Sequence, residues 1–337
     1  MIEIGVGVVG AGPWGLNVAR AFARAKGARL RVIADLDAER RARAGQTLDG
    51  NGVGVALVSD VDDVLAMSDV AAVAVAVDSP RHHAVAKRAL LAGRHVLVEK
   101  PMALSVADGA ELVELAARAG RVLMVGHVLL HHPGIERARA IVASGELGRI
   151  LYLHATRVGF GTVRPGESVW WSIGPHDIAA AIHLFDATPT TVSATGAGYL
   201  QLRQHDVTFA TLTFADGRLA HVHVSWLAPE KRRLLTVVGS HKMLTFDETD
   251  RERPLRVHDR AFVPAAARTG FIGRAGEIEV PALPALEPLL VECEHFVDCV
   301  ARGGRARGDG AHALAVLRVL AAGERSMRAG GAPVEVA

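Results

Sequence analysis

Three groups of residues have the types and the spacing that chemistry requires. Glu99, Lys100 and Pro101 directly follow an apolar run at 95–98, so a carboxylate and an ammonium leave the end of a strand side by side. Gly10, Gly12 and Gly15 form a G-x-G-x-x-G string after the apolar run 4–9, with Pro13 and Trp14 inside it. Glycines at these places permit a tight turn and let backbone N–H groups, at the positive end of a helix, face a pyrophosphate. Asp35 closes the second apolar run and can accept hydrogen bonds from ribose hydroxyls. His176 lies in the string W-W-S-I-G-P-H-D-I at 170–178. An unperturbed imidazole has its pKa near neutrality and suits removal of a hydroxyl proton as hydride leaves the same carbon.

Asp35 also decides between cofactors. Its charge repels the 2′-phosphate of NADP, and the next position is Leu36 rather than an arginine, so NAD is expected, with NADP the less favoured partner. Arg40 and Arg41 reach a phosphate only if their helix is suitably rotated. The bland reading of Asp35 is a cap on the turn before the helix of Glu39 and Arg40.

These residues need elements to hold them. Apolar runs at 4–9, 30–34, 70–77, 95–98 and 122–125 alternate with amphipathic stretches, the pattern of βαβ units around a parallel sheet buried on both faces. The clearest helix begins at Ser105, with Asp108 three residues on in a capping-box arrangement. Beyond Gly126 the texture changes. Helices are expected at 134–144 and 175–185, and strands at 150–158, 191–199, 207–214, 219–227, 233–238 and 243–246, joined by turns that suit antiparallel hairpins. Residues 259–277 read as a long irregular loop, and two helices, 286–301 and 311–327, close the chain. The expected fold is α/β: a Rossmann dinucleotide-binding domain at 1–125, then an α+β domain at 126–337 with a large, mostly antiparallel open sheet.

Glu99-Lys100-Pro101 after an apolar strand, together with G-A-G-P-W-G at 10–15, resembles the glucose-fructose oxidoreductase and inositol dehydrogenase (Gfo/Idh/MocA) family. The likeness continues through A-G-R-H-V at 92–96, S-G-E-L-G at 144–148 and V-G-S at 238–240. It implies an NAD-dependent dehydrogenase or reductase acting on a hydroxyl or keto carbon of a sugar, nucleotide-linked sugar or cyclitol. It also implies Lys100 as an active-site residue, its peptide with Pro101 often cis, and a homodimer or homotetramer formed through the second-domain sheet. The expected cofactor set is Gly10, Gly12, Pro13, Trp14, Gly15, Asp35, Val77, His82, Glu99 and Lys100.

The stretch 170–178 is similar to a subgroup acting on nucleotide-linked amino sugars, whose pattern reads Trp-Asp-x-x-Pro-His-Asp-Ile. Aligned on Pro175-His176-Asp177-Ile178, His176 takes the histidine position and Ser172 stands where a carboxylate is expected. His176 and Lys100 are then the catalytic pair, Lys100 hydrogen-bonding the reacting oxygen and favouring the developing alkoxide. A second register pairs Asp177 with His183, but six residues put them far apart around a helix. Substrate contacts are expected from Arg157, Arg164, Trp171, Ser172 and Asp177. For the arginines the alternative is solvated surface charge, and for Asp177 a helix cap.

Composition excludes other classes. A formal charge of +2 with both signs dispersed provides no basic stripe for nucleic acid or an anionic membrane. Cys293 and Cys299 are not spaced as a thiolate metal site or disulfide framework. His127, His131 and His132 sit in a loop, and His221 and His223 on one strand face, so no metal is expected. The start, M-I-E-I-G-V-G-V-V-G, lacks a cationic leader, and a cytoplasmic enzyme is expected. Two rival functions use the same residues: a glycosidase that retains its NAD, and a non-catalytic dinucleotide-binding protein.

Overall fold

The structure, a computed structural model, describes residues 3–48, 54–161, 163, 166–201, 204–265 and 270–337. Contacts divide the chain into two compact units, Met1–His132 with Leu286–Leu317, and Pro133–Ala285 with Arg318–Ala337.

The first unit is a six-stranded parallel sheet. Its strands are β1 (Ile4–Val9), β2 (Ala28–Ala34), β3 (Ala56–Val58), β4 (Ala72–Val75), β5 (His95–Glu99) and β6 (Leu123–Gly126), in the order β3-β2-β1-β4-β5-β6. Helices α1 (Pro13–Arg24), α2 (Ala38–Leu48), α3 (Val61–Ala66), α4 (His82–Leu91) and α5 (Val106–Ala119) connect them. The strand order reverses between β1 and β4, and in such sheets the crevice beyond the carboxyl ends at the reversal takes ligands. The Ser105 hydroxyl accepts from the Asp108 amide at 3.0 Å and caps α5 as its spacing indicates. The short edge strand β3 has no counterpart among the apolar runs.

A boundary at 125/126 does not describe this unit, which also takes in 286–317. The cause is apolar burial. Helix α9 (Pro288–Arg302) turns Cys293, Phe296 and Val297 into the core that holds Val18 and Phe22 of α1, with the Phe22 and Phe296 rings edge to face at 6.3 Å. A helix remote in sequence thus completes the cover of the sheet.

The second unit contains α6 (Pro133–Ala143), β7 (Ile150–Phe160), α7 (Val169–Ser172), α8 (Gly174–Phe185), β8 (Thr191–Ala197), β9 (Val207–Thr213), β10 (Leu219–Ser225), β11 (Leu227–Gly239), β12 (Met243–Asp247), β13 (Leu255–Pro264), β14 (Phe271–Glu279) and β15 (Val334–Glu335). The last helix, α10 (Gly310–Arg328), spans the division between the units. Nine strands form one sheet, β14-β13-β12-β11-β7-β10-β9-β8-β15, antiparallel except where β7 runs parallel to β10. Helix α8 is apolar around most of its circumference and is buried against β7 and β10.

The irregular loop expected at 259–277 is overturned. Residues 255–264 and 271–279 are paired strands, while 266–269 lie outside the described residues. Every residue of β14 is exposed, so the edge strand carries no alternation of buried and exposed positions by which sequence could reveal it.

Candidate functional site

The glycine loop is built by backbone contact. Gly10 has φ +104°, and a Cβ there would lie 2.4 Å from the Ala76 carbonyl oxygen; one on Gly15 would lie 2.0 Å from that of Gly10. A side chain on Gly10 forces the β1–α1 turn away from the residues that follow β4, and one on Gly15 forces α1 away from Gly10. Gly12 differs: a Cβ would meet nothing within 4 Å, and as N-cap of α1 it leaves the first turn without a side-chain cap. Pro13 occupies the start of the helix, where its missing N–H costs nothing. An open approach, uncapped amides and a positive helix end fit a pyrophosphate.

Asp35 is nearly buried, and its carboxylate accepts from the Ala11 amide at 2.7 Å and the Asp37 amide at 2.9 Å. A carboxylate has about four lone-pair sites, so two such bonds orient it and leave capacity for ribose hydroxyls. It is therefore both the turn brace and the expected ribose acceptor. Arg41 donates to the carbonyl oxygens of Asp35 and Leu36 at 2.7 and 3.0 Å, which turns its guanidinium onto the backbone. Arg40 lies 4.0 Å from the Asp35 carboxylate.

The glycine loop is tied to the β5 end. Trp14 donates its indole N–H to Glu99 Oε1 at 2.5 Å, and the Lys100 amide donates to Glu99 Oε2 at 3.3 Å. The Lys100–Pro101 peptide is cis. His82 is buried with Nδ1 2.7 Å from the Pro101 carbonyl oxygen and Nε2 2.9 Å from that of Val77. A neutral imidazole donates to one of these at a time, and burial pushes its pKa down. Val77 and His82 thus hold the turn that carries Lys100.

Behind this turn lies a buried cluster that sequence reading did not find. Glu292 of α9 is fully buried, and neither carboxyl oxygen has a hydrogen-bond partner among the described residues; Oε1 is 3.9 Å from His131 Nε2. Burial, then repulsion from Glu99, raises the Glu292 carboxyl well above the usual range. Burial also raises Glu99, against the pull of Trp14 and Lys100. His127 is buried edge-on to His312 at 5.7 Å and is pushed well down by burial. Desolvation favours the neutral form of each group. Among the described residues no group of three His, Cys, Asp or Glu side chains is arranged to hold a metal ion.

In the second unit, His176 lies in the first turn of α8, partly exposed, its amide donating to the Ile173 carbonyl at 3.3 Å. The neighbouring Asp177 is buried and takes a two-pronged contact from Arg157 of β7, 2.9 Å from Nε and 3.2 Å from Nη2. Arg157 also reaches Glu248 at 2.9 Å, and Glu248 accepts from Arg233 of β11 at 2.5 Å. Burial opposes charge on Arg157, but Asp177 and Glu248 outweigh it and hold the guanidinium protonated. Arg157 and Asp177, expected at the substrate, are committed to each other. Trp171 gives its indole N–H to Glu324 at 3.2 Å. Arg164 lies outside the described residues. Ser172, buried at the end of α7, donates its hydroxyl to Glu167 Oε2 at 2.8 Å, a carboxylate the motif reading passed over.

Comparison with known proteins decides the family. Residues 4–127 match the model of the oxidoreductase family with the NAD-binding Rossmann fold, and residues 135–245 match the Gfo/Idh/MocA C-terminal domain. The chain belongs to this NAD-binding oxidoreductase family. It is 28% identical over 323 residues to the UDP-N-acetylglucosamine 3-dehydrogenase of Acidithiobacillus ferrooxidans, covering 96% of each chain. It is 26% identical over 275 residues to the 2,7-anhydro-N-acetylneuraminate hydratase of Mediterraneibacter gnavus, covering 77% of this chain and 71% of that one. The fold matches that of a levoglucosan dehydrogenase solved with NADH and L-sorbose, with a TM-score of 0.85, 22% identity and full coverage of both chains. No helix among the described residues is long and apolar enough to cross a membrane.

Proposed function

We propose that this member of the family is an NAD-dependent dehydrogenase of a sugar, nucleotide-linked sugar or cyclitol, with Lys100 and His176 carrying the proton chemistry. The observation that carries the reading is the joined architecture of the first unit: Trp14 of the glycine loop bonds Glu99, the residue before Lys100, while His82 braces the turn after it. The likeness to the UDP-N-acetylglucosamine 3-dehydrogenase over nearly the whole chain supports the substrate class.

Gly10, Gly12 and Gly15 would hold the pyrophosphate of NAD, and Asp35 the adenosine ribose. NAD supplies a hydride acceptor when bound. Lys100 donates a hydrogen bond to the reacting oxygen and lowers the cost of its developing negative charge. His176 takes the hydroxyl proton as the carbon–hydrogen bond breaks. Asp177 is too firmly held by Arg157 to share this work and instead fixes the helix that bears His176.

Cytoplasmic operation and assembly into a homodimer or homotetramer belong to the same proposal. Free thiols at Cys293 and Cys299 are consistent with the first. Exposed Phe262, Phe271 and Ile272 on β13 and β14 support the second.

The test is NADH formation, with NADP as control, across free sugars, inositols and UDP- or dTDP-linked sugars. NAD-dependent turnover on one class supports the reading. Conversion of a sugar without net NADH favours a reaction in which NAD is regenerated, as in the glycosidase alternative; the relative named as a hydratase makes that second outcome worth measuring. NAD binding without any conversion favours the non-catalytic alternative.

A further inference from the structure

We infer that Glu167, acting through Ser172, is the positioning carboxylate of the His176 region. This rests on the dehydrogenase reading. Position 172 ends α7, and a serine there carries no charge. The chain compensates within one short turn. The Ser168 hydroxyl caps α7 by accepting from the Trp170 amide at 3.3 Å, and the Ser172 amide donates back to the Ser168 carbonyl at 2.9 Å. That single helical turn carries Ser172 back beside Glu167, where the hydroxyl donates to the carboxylate at 2.8 Å.

Glu167 is held from a second direction. Its carbonyl accepts from Gln201 Nε2 at 3.2 Å, while Gln201 Oε1 accepts from the Gly166 amide at 2.9 Å. A glutamate on a loop, with three side-chain torsions, would lose much rotamer freedom on being fixed. Here the backbone is clamped on both sides and the carboxylate has a buried hydroxyl to dock on. From Ser172 the chain passes through Ile173 directly into α8, and the His176 amide is anchored to the Ile173 carbonyl. Carboxylate, hydroxyl and imidazole therefore share the stretch 167–176.

The chemistry differs from that of a carboxylate at 172 itself. Once its proton is donated to Glu167, the Ser172 oxygen presents only lone pairs. The pair therefore accepts a hydrogen bond from a hydroxyl or amine while keeping the negative charge one side chain further back. It orients a donor group of a polyol without a bare carboxylate at the first contact.

Kinetics of wild type, Glu167→Gln, Glu167→Asp, Ser172→Ala and the double variant Glu167→Gln/Ser172→Asp test this, with NAD affinity and thermal melting followed in parallel. Glu167→Gln is expected to lower kcat by about 10–100-fold with NAD affinity kept, and Glu167→Asp and Ser172→Ala by less. Adding Ser172→Asp to Glu167→Gln is expected to recover most of the loss, which a purely structural role for Glu167 would not allow. Full kcat in Glu167→Gln, or failure of Ser172→Asp to recover a folded double variant, overturns the assignment. A wild type that oxidises no polyol instead overturns the dehydrogenase reading beneath it.

Discussion

Two buried groups of ionisable residues solve the problem of burial in opposite ways. Around the end of β5, Glu99, Glu292, His82 and His127 have few counter-charges, and burial drives them toward neutral forms. Beside the start of α8, Asp177, Arg157, Glu248 and Arg233 alternate in sign along a chain of short hydrogen bonds; Arg157 and Glu248 are held charged, and only at Asp177 does burial outweigh the pull of Arg157 and raise the carboxyl. A compensated network stiffens what it joins. A set of groups driven toward neutrality beside a lysine is an electrostatic setting in which functional sites occur. Under the proposed function the first arrangement belongs to the chemistry, the second to the scaffold that presents His176.

The comparison is broken most sharply at Arg157. Removing one partner of a buried pair leaves an uncompensated charge, so Arg157→Ala is expected to cost about 3–5 kcal/mol, read in urea or thermal unfolding. If Arg157 is instead a substrate contact, stability is kept and KM rises.

Asp35 comes next, because it combines a turn bond with cofactor choice. Asp35→Ser removes the charge that opposes a 2′-phosphate and the acceptor for the Ala11 amide. The loss of charge-assisted hydrogen bonds is worth about 1.5–3 kcal/mol, so the ratio of kcat/KM for NAD over NADP is expected to fall roughly 10–100-fold. An unchanged ratio would mean that Asp35 serves only the turn.

The smallest effect is expected at Glu292, and its sign depends on pH. The folded carboxyl pKa is raised, so the folded protein keeps a proton that the unfolded chain releases once pH passes the ordinary carboxylate range. Stability is thus lost as pH rises from about 4.5 toward the folded pKa. Glu292→Gln removes this loss: its melting temperature relative to wild type is expected to climb by a few degrees between pH 5 and pH 8. A difference that is flat with pH would show that Glu292 is charge-compensated like Glu248.

What the sequence reveals follows the range of the interactions. Gly10 and Gly15 act through backbone geometry within one turn, so the glycine spacing after an apolar run, joined by Asp35 at the end of the next run, marks the loop. The parallel strands are legible because burial on both faces makes them continuous apolar runs. Arg157 and Asp177 are 20 residues apart, and only the packing of α8 on β7 consumes their charges; sequence presents them as two free groups in a promising region. Glu167 lies close to Ser172 in sequence, but it stands before the N-cap of a one-turn helix, too short for a period to announce the contact. Helix α9 is visible as a helix, yet nothing local assigns it to the first unit or marks Glu292 as buried beside Glu99.

The most direct measurement compares wild type with Lys100→Ala on whichever polyol yields NADH, recording NAD affinity alongside turnover. Lys100→Ala is expected to bind NAD with affinity close to wild type and to lose kcat by about 10²–10⁴-fold. A variant that turns over at the wild-type rate would contradict the placement of the chemistry at the end of β5.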